Sequence, residues 1–177
     1  MSTFNVLVAE HDLTKDDGQE RFTVCSKLEH PKYDWYSSDH DFSILTLCNH
    51  IKFKKEASPV CLPSLSKNVP GGILSTVSGW GTLYSGGRQP DQLMEVDVTT
   101  MSNAECNKAY GDGEITKNMI CAKGSGKDSC QGDSGGKIIA VYMSTIFKTI
   151  ICRAVNIKEW WRLLHSDRHC VLGLWVC

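Results

Sequence analysis

The stretch KDSCQGDSGG, residues 127–136, places a serine among residues suited to acyl transfer. Ser134 lies between Gly132 and two further glycines, so the backbone can turn tightly and expose the hydroxyl. The same turn could aim the backbone N–H groups of Gly132 and Ser134 at one point, where an oxyanion would be stabilised. Asp128, upstream in the stretch, offers a carboxylate to a cationic side chain such as Arg or Lys.

Strand-like segments dominate the rest of the chain. Apolar and β-branched runs occur at FTV, FSILTL, ILSTVSGWG and KIIAVYM, broken by Gly, Pro and Asp turns, and residues 94–98 alternate strictly between apolar and polar. Ser102 and Glu105 have the spacing of a capping box, which predicts a short helix near residues 102–109. Residues 156–164 carry apolar side chains on one helical face and form the other candidate helix. The pattern predicts an all-β fold.

The composition excludes several classes of partner. The formal net charge of the 177 residues is −1, so nothing favours binding to nucleic acid or to an anionic membrane. No apolar run reaches the length of about 18 residues that a membrane span needs.

Nine cysteines indicate an oxidising environment with at least one unpaired thiol. Neither a basic region nor a long apolar region follows Met1, so we expect no signal peptide in this chain.

A metal site is weakly indicated at the end of the chain. Cys170, Cys177, His165 and His169 could be read as ligands, but no CxxC knuckle accompanies them and unpaired cysteines are the simpler interpretation. We expect neither a metal nor a cofactor.

Several motifs resemble one protein family. Read alone, GDSGG is an ordinary Gly-rich turn, but KDSCQGDSGG resembles the trypsin branch of the chymotrypsin-like serine proteases residue for residue. HPKYDWYSSDHDFSILTL, residues 30–47, resembles the segment that carries the triad aspartate, with Asp41 in that place. PVCLP, VSGWGTL and AYGDGEITKNMICA follow in the family's order. The resemblance covers roughly residues 6–140 and implies a double β-barrel, here incomplete.

The resemblance implies a role for each candidate site residue. Ser134 is the implied nucleophile, Asp41 the carboxylate that orients the catalytic histidine, and the N–H groups of Gly132 and Ser134 the oxyanion hole. Asp128 and Ser129 belong to the implied substrate-binding pocket. The implied activity is cleavage of polypeptides after Arg or Lys. Polypeptide substrates or protease inhibitors are the implied partners, and the implied protein is an extracellular monomer.

Cysteine placement follows the family in part. The resemblance implies a disulfide between Cys106 and Cys121, and it leaves Cys61 and Cys130 without their family partners. Ser75 and Ala140 stand where many relatives carry a further bridge. Because both cysteines of this pair are absent together, we expect the sequence homologous to the family to extend through Ala140.

The first departure from the family concerns the general base. The family's Ala-Ala-His-Cys motif occurs nowhere in the 177 residues, so the catalytic histidine is absent from the chain as written. A serine without an adjacent imidazole is a poor nucleophile, and in well-studied members of this same family the loss of one triad residue removes several orders of magnitude in rate. His40 precedes Asp41 directly, but neighbours on an extended chain point to opposite faces. We expect His11 and His30 to be solvated, no histidine to substitute, and the chain as written to be inactive.

The activation device is expected to be missing as well. Family members pair a new N-terminal ammonium with the aspartate before the nucleophile, here Asp133, and no Ile-Val-Gly-Gly-like start is present. We therefore expect the Asp133 carboxylate to turn toward water and the oxyanion turn to stay loose.

The second departure follows Ala140. No Ser-Trp-Gly substrate-binding segment appears, and Lys137 stands where the family usually has proline. We predict a partial trypsin-like domain at residues 1–140, with its second barrel lacking the last strands, and a divergent tail at residues 141–177. The tail is either a shortened relative of the family's last segment or unrelated sequence from an intron or a frameshift.

A non-catalytic protease homologue that acts as a binding protein is the alternative function. Binding alone requires neither Ser134 nor Asp128, yet both are present. Because an incomplete barrel leaves strand edges unpaired, we expect the isolated chain to aggregate.

Overall fold

Residues from the first part of the chain form a three-stranded antiparallel sheet. The computed structural model describes residues 4–59, 69–124, 131–141, 148–152 and 171–173. Strand β1 is Asn5–Val8, β2 is Glu20–Glu29 and β3 is Ser43–Leu47, with β2 in the middle. Phe22 and Val24 of β2 are buried while their neighbours are exposed, the period of two that a strand covered on one face requires.

A disulfide between Cys25 and Cys48 joins β2 to the residue that follows β3. The pairing register of the two strands shifts between Val24 and Ser26, so Cys25 lies at an irregularity of the ladder. The sequence predicted no partner for either cysteine. The bond closes a loop of chain that includes Asp41, and it thereby fastens both sides of the hairpin that carries this residue.

The larger sheet contains six antiparallel strands. Strand β4 is Leu74–Gly79, β5 is Met94–Met101, β6 is Met119–Lys123, β7 is Lys137–Val141, β8 is Lys148–Cys152 and β9 is Val171–Gly173, in the spatial order β8-β7-β4-β5-β6-β9. The strand predicted from the alternation at residues 94–98 is present as part of β5. Its partners β4 and β6 cover both of its edges.

Two apolar clusters stabilise this sheet. Val77, Val98, Ala122 and Ile138 come from four adjacent strands and pack together, with Val98 only 1% exposed. A second cluster surrounds the disulfide between Cys106 and Cys121, which joins a helix to β6. The Cys106–Cys121 pairing that the family resemblance implied is therefore present.

The short helix α1, Asn103–Tyr110, begins with the predicted capping box. The Ser102 hydroxyl accepts from Glu105 N–H at 3.2 Å, and the Glu105 carboxylate accepts from Ser102 N–H at 3.1 Å. Two asparagines of α1 then fix the segment that follows: Asn103 Nδ2 donates to the carbonyls of Thr116 and Met119 at 2.7 and 2.9 Å, and Asn107 exchanges two hydrogen bonds with the Ile115 backbone. The helix thus holds residues 115–119 in place before β6.

The prediction that the family resemblance extends through Ala140 agrees with the strand register. Ser75 on β4 and Ala140 on β7 are direct partners, so the two positions that lack cysteine face each other. Beyond Ala140, β8 and β9 extend the sheet at its two edges, and the double barrel is incomplete, as predicted. The β-branched run Thr149, Ile150 and Ile151 explains β8. The candidate helix at residues 156–164 lies outside the described residues.

The loop between β1 and β2 connects the two sheets. Leu13 N–H donates to Asp91 O and Leu93 N–H donates to His11 O, both at 2.8 Å. Asp12 between them is 4% exposed. Hydrogen bonds from Lys15, Thr14 and Gln92 lower the pKa of the Asp12 carboxyl. This buried charge is therefore well paired and fixes the first sheet against the segment before β5.

Within the described ranges, no helix has the length and apolar character that crossing a bilayer requires.

Loss of the capping hydroxyl at Ser102 should destabilise helix α1 and thereby the protein. We expect Ser102→Ala to lower the free energy of unfolding by about 1 kcal/mol, because the N–H of Glu105 loses its acceptor. Ser102→Thr keeps a hydroxyl at the same position and is the matched control, with a change of a few tenths of a kcal/mol. Urea denaturation of the three proteins measures both values. Equal stability of the Ala and Thr variants would contradict the capping role.

Candidate active site

Ser134 lies on a tight turn at residues 131–136, directly before β7. Gly132 and Gly135 have φ of 97° and 87°, a left-handed region that glycine adopts without strain. Gly136 N–H donates to Asp133 O at 2.8 Å and closes the turn. Ser134 is exposed between the two left-handed glycines, as the predicted turn requires. Its role as nucleophile stays a prediction.

The Asp133 carboxylate turns inward against the loop that follows β4. It is half-buried, and its Oδ1 accepts a hydrogen bond from Gly81 N–H at 2.8 Å. The expectation that this carboxylate would turn toward water was therefore wrong. The physical reason is local: a Cβ on either Gly79 or Gly81 would overlap the carboxylate, so these two glycines provide both the room and a backbone donor.

The same loop braces the turn at two further points. Thr82 N–H donates to Gln131 O at 2.8 Å, at the start of the turn. A Cβ on Gly132 would lie 2.7 Å from Gln89 Nε2 and 3.2 Å from the Gly81 α-carbon, so the loop backbone and a side chain cover that face of Gly132. Glycine at position 132 is therefore required both by its φ and by this close approach.

Asp41 lies two residues before the start of β3 and is half-buried. Burial raises the pKa of its carboxyl. No hydrogen bond or ion pair to this carboxylate is formed within the part of the chain that the structure describes. Asp41 thus differs from Asp133, because its environment opposes the charge and supplies no donor.

The other predicted site residues can be located only in part. Gly132 is exposed beside Ser134. Asp128 and Ser129, the predicted substrate-binding residues, lie outside the described residues, and so do His165 and His169. In the described ranges, no group of three or more His, Cys, Asp or Glu side chains is placed to hold a metal ion. A cavity of about 400 Å³ at the junction of the two sheets includes none of the predicted site residues.

The histidines near Asp41 are less solvated than expected. The rings of His30 and His40 stack at 4.4 Å between centroids, and both residues are half-buried. Burial, then the neighbouring His40 and Lys32, lower the pKa of His30. The prediction of a solvated His30 was therefore only partly correct, since the ring of His40 from the same hairpin covers one face of it. His11 is exposed, as predicted.

A polar cluster beside Asp41 was not predicted. The Asp39 carboxylate accepts hydrogen bonds from Thr116 Oγ1 at 2.7 Å and from Asn118 Nδ2 at 3.0 Å. We call these three residues the Asp39 clasp. The contacts join residues separated by 77 and 79 positions, and no local pattern connects them. The one available signal was that both segments carry family motifs.

Comparison with known proteins agrees with this arrangement. The family model described as Trypsin matches residues 1–141. The chain belongs to the trypsin family. It is 39% identical over 142 residues to Trypsin-1 of Astacus astacus and 39% identical over 142 residues to Serine protease 1 of Rattus norvegicus, in each case over 78% of this chain. It spans 59% and 56% of the length of these two relatives.

The fold of this trypsin-family chain is also that of a solved relative. Neuropsin, a serine protease expressed in the limbic system of mouse brain, superimposes with a TM-score of 0.78 at 25% identity, over 98% of this chain and 74% of neuropsin. The mostly β architecture is that of the trypsin-like double barrel in incomplete form. Trypsin-family membership makes the chain a serine endopeptidase homologue.

A side chain at position 81 should displace the Asp133 carboxylate. We expect Gly81→Ala to destabilise the chain by about 1–3 kcal/mol, because its Cβ overlaps a packed carboxylate. Gly87→Ala is the matched control, since its Cβ meets only the exposed Tyr84 ring, which can move away. Its effect should stay within about 0.5 kcal/mol. Thermal or urea unfolding compares the two variants, and similar losses would contradict the tight Gly81–Asp133 contact.

The buried charge of Asp41 should cost stability at neutral pH. Because the folded pKa lies above the unfolded value, the ionised carboxylate destabilises the fold above that folded pKa, and the cost vanishes below the unfolded pKa of about 3.9. We therefore expect Asp41→Asn to raise the free energy of unfolding at pH 7 and to lose this gain as the pH falls toward 4.

Asp34→Asn is the control, and we expect it to change the free energy of unfolding at pH 7 in the opposite direction. Hydrogen bonds from Tyr36 N–H and the Ser37 hydroxyl lower the pKa of the Asp34 carboxyl, so its ionised form stabilises the fold. Removing that charge should lower stability at pH 7. Urea unfolding at several pH values measures both variants, and a loss of stability in Asp41→Asn at pH 7 would contradict the buried-charge interpretation.

Proposed function

We propose that this chain carries the nucleophile and the orienting aspartate of a serine endopeptidase that cleaves polypeptides after Arg or Lys. The observation that carries the proposal is the exposed Ser134 on a glycine turn that Asp133 and Gly81 brace, in a chain of the trypsin family. Asp41, half-buried and without a described partner, is the proposed orienting carboxylate. The N–H groups of Gly132 and Ser134 are the proposed oxyanion hole.

The proposed reaction proceeds in two acyl-transfer steps. Ser134 Oγ attacks the scissile carbonyl carbon, its proton passes to a general base, and the carbonyl oxygen becomes an oxyanion that the two N–H groups stabilise. Collapse of this intermediate breaks the C–N bond, and the departing amine takes the proton from the base. Water then attacks the acyl group on Ser134 by the same route and releases the carboxylic acid. No cofactor is part of this chemistry.

The proposed specificity rests on Asp128 and Ser129. A carboxylate upstream of the nucleophile in the same stretch would pair with the cation of an Arg or Lys side chain. Polypeptide substrates or protein inhibitors with such a residue are therefore the proposed partners of a monomeric protein. The disulfides Cys25–Cys48 and Cys106–Cys121 support an extracellular location.

The 177 residues by themselves are proposed to be inactive. They contain no Ala-Ala-His-Cys motif, and the Asp41 carboxylate contacts no imidazole among the described residues. A serine hydroxyl that no adjacent base activates keeps its proton at neutral pH and attacks amides poorly.

Ester hydrolysis with and without added imidazole tests the proposal. Arg, Lys and Phe esters are incubated with the chain and with Ser134→Ala, first in buffer alone. We expect no rate above the Ser134→Ala background. Added imidazole can reach the exposed serine and act as a base, so we expect it to produce hydrolysis that depends on Ser134 and favours Arg and Lys. Asp128→Ala should remove that preference.

Three outcomes would overturn parts of the proposal. Rapid Arg-amide cleavage without imidazole, abolished by Ser134→Ala, would overturn the inactivity of the isolated chain. Ser134-dependent hydrolysis without an Arg or Lys preference would overturn the specificity. A monodisperse chain that binds protease inhibitors but never shows Ser134-dependent hydrolysis would favour the non-catalytic binding protein instead.

A further inference from the structure

The chain around Asp39 adopts an unfavourable backbone. Ser38 and His40, on either side of Asp39, have φ of 56° and 53°, in the left-handed region that residues with a Cβ rarely occupy. Two such residues in a stretch of three persist only where surrounding contacts over-determine the conformation. Asp41 follows directly. The contacts that hold this backbone therefore bear on the position of the proposed orienting carboxylate.

The Asp39 clasp supplies those contacts. Thr116 Oγ1–H donates to Asp39 Oδ1 at 2.7 Å, and Asn118 Nδ2 lies 3.0 Å from Oδ1 and 3.2 Å from Oδ2. Burial alone would raise the pKa of the Asp39 carboxyl, but these donors and His40 outweigh it and the pKa is lowered. The clasp is thus a charged, hydrogen-bonded attachment between the Asp41 hairpin and the segment that precedes β6.

The rings of His40 and His30 extend the clasp. Asn118 Nδ2 also lies 3.2 Å from His40 Nε2, within hydrogen-bonding distance. His30 stacks on a face of the His40 ring, and His30 Nδ1 accepts from Lys32 N–H at 3.2 Å. The side chain that precedes Asp41 is therefore fixed on two sides.

The backbone of Asp41 is held on its other side as well. Phe42 N–H donates to His40 O at 2.8 Å, which makes Asp41 the central residue of a three-residue turn. His30 N–H donates to Phe42 O at 3.1 Å and attaches this turn to the end of β2. The Asp41 carboxylate itself has no partner in the described ranges. The position of the Asp41 carboxylate must therefore be set by the contacts of the neighbouring residues.

We propose that Asp39, acting through its hydrogen bonds to Thr116 and Asn118, is a positioning residue that sets the place of the Asp41 carboxylate. The inference rests on the proposed function for the importance of Asp41, but it is a structural claim that can be tested without catalysis. Without the clasp, the backbone at positions 38 and 40 loses the side-chain hydrogen bonds that favour its left-handed conformation, and we expect the turn at Asp41 to open toward water.

Asp39→Ala and Asp39→Asn test the claim by carbon-detected NMR of the Asp41 carboxyl and by amide exchange at Phe42. In Asp39→Ala we expect the Asp41 pKa to fall toward its ordinary value, because the carboxyl becomes solvated. We expect the Phe42 amide to exchange about tenfold faster or more, as the loss of two or three hydrogen bonds implies. Asp39→Asn keeps the acceptor for Thr116 and should give a smaller change of the same sign.

Two further variants make the result decisive. Asp34→Ala removes another carboxylate of the same loop, one whose hydrogen bonds stay within residues 34–37. It keeps the backbone bond from Asp34 N–H to Asp39 O, so it should leave Asp41 and Phe42 unchanged. Thr116→Val removes a single hydroxyl donor without changing side-chain size. It should lower the Asp41 pKa slightly and speed Phe42 amide exchange slightly. This variant still tests the proposal if Asp39→Ala fails to fold. An unchanged Asp41 pKa and unchanged Phe42 exchange in a folded clasp variant would overturn the proposal.

The imidazole-dependent hydrolysis separates this claim from the proposed function. If the hydrolysis is detected, clasp variants should reduce it while Asp34→Ala does not, and an equal effect of both would count against positioning. If no Ser134-dependent hydrolysis occurs in any chain, the proposed function fails, but the NMR shifts in Asp39→Ala still decide whether the clasp positions Asp41.

Discussion

The hydrogen bond from Gly81 N–H to the Asp133 carboxylate is the contact on which the candidate active site depends. A half-buried carboxylate is stable only where donors replace its water, and here the backbone of the glycine loop after β4 supplies one. This contact fixes the residue directly before Ser134. The left-handed glycines at 132 and 135 then determine how the serine emerges. The site is therefore built mainly by backbone and glycine, with few side chains involved.

Among the residues that the structure describes, polar contacts attach the two sheets at two places. At one, the loop between β1 and β2 pairs with the segment before β5, around the buried Asp12. At the other, the Asp39 clasp joins the Asp41 hairpin to residues that α1 holds in place. Such contacts depend on direction, whereas apolar packing tolerates small displacements. They are suited to a site whose proposed parts, Asp41 and Ser134, come from different sheets.

Features whose causes lie within a few residues could be predicted from the sequence, whereas contacts between distant segments could not. The capping box at Ser102 and the alternation in β5 were predictable because their causes lie within a few residues. The Cys106–Cys121 bond and the family itself followed from motifs that resemble known relatives. The Cys25–Cys48 bond and the clasp were not predicted, because they depend on which distant segments the fold brings together. The inward Asp133 was mispredicted, because a backbone donor leaves no trace in side-chain patterns.

Three aspartates near the site illustrate how environment separates structural from chemical roles. Asp133 and Asp39 are half-buried and accept hydrogen bonds from the chain. For Asp39 these donors lower the pKa, so its negative charge stabilises the fold around it. Asp41 is half-buried too, but its charge is opposed by burial and stabilised by no described donor. A carboxylate kept in that state costs stability and contributes nothing to folding. This environment is the one expected for the proposed orienting carboxylate, whose charge would stabilise an imidazolium that forms during acyl transfer. The contacts of Asp39 fix the backbone on which Asp41 depends, whereas the contact of Asp133 fixes the turn that carries Ser134.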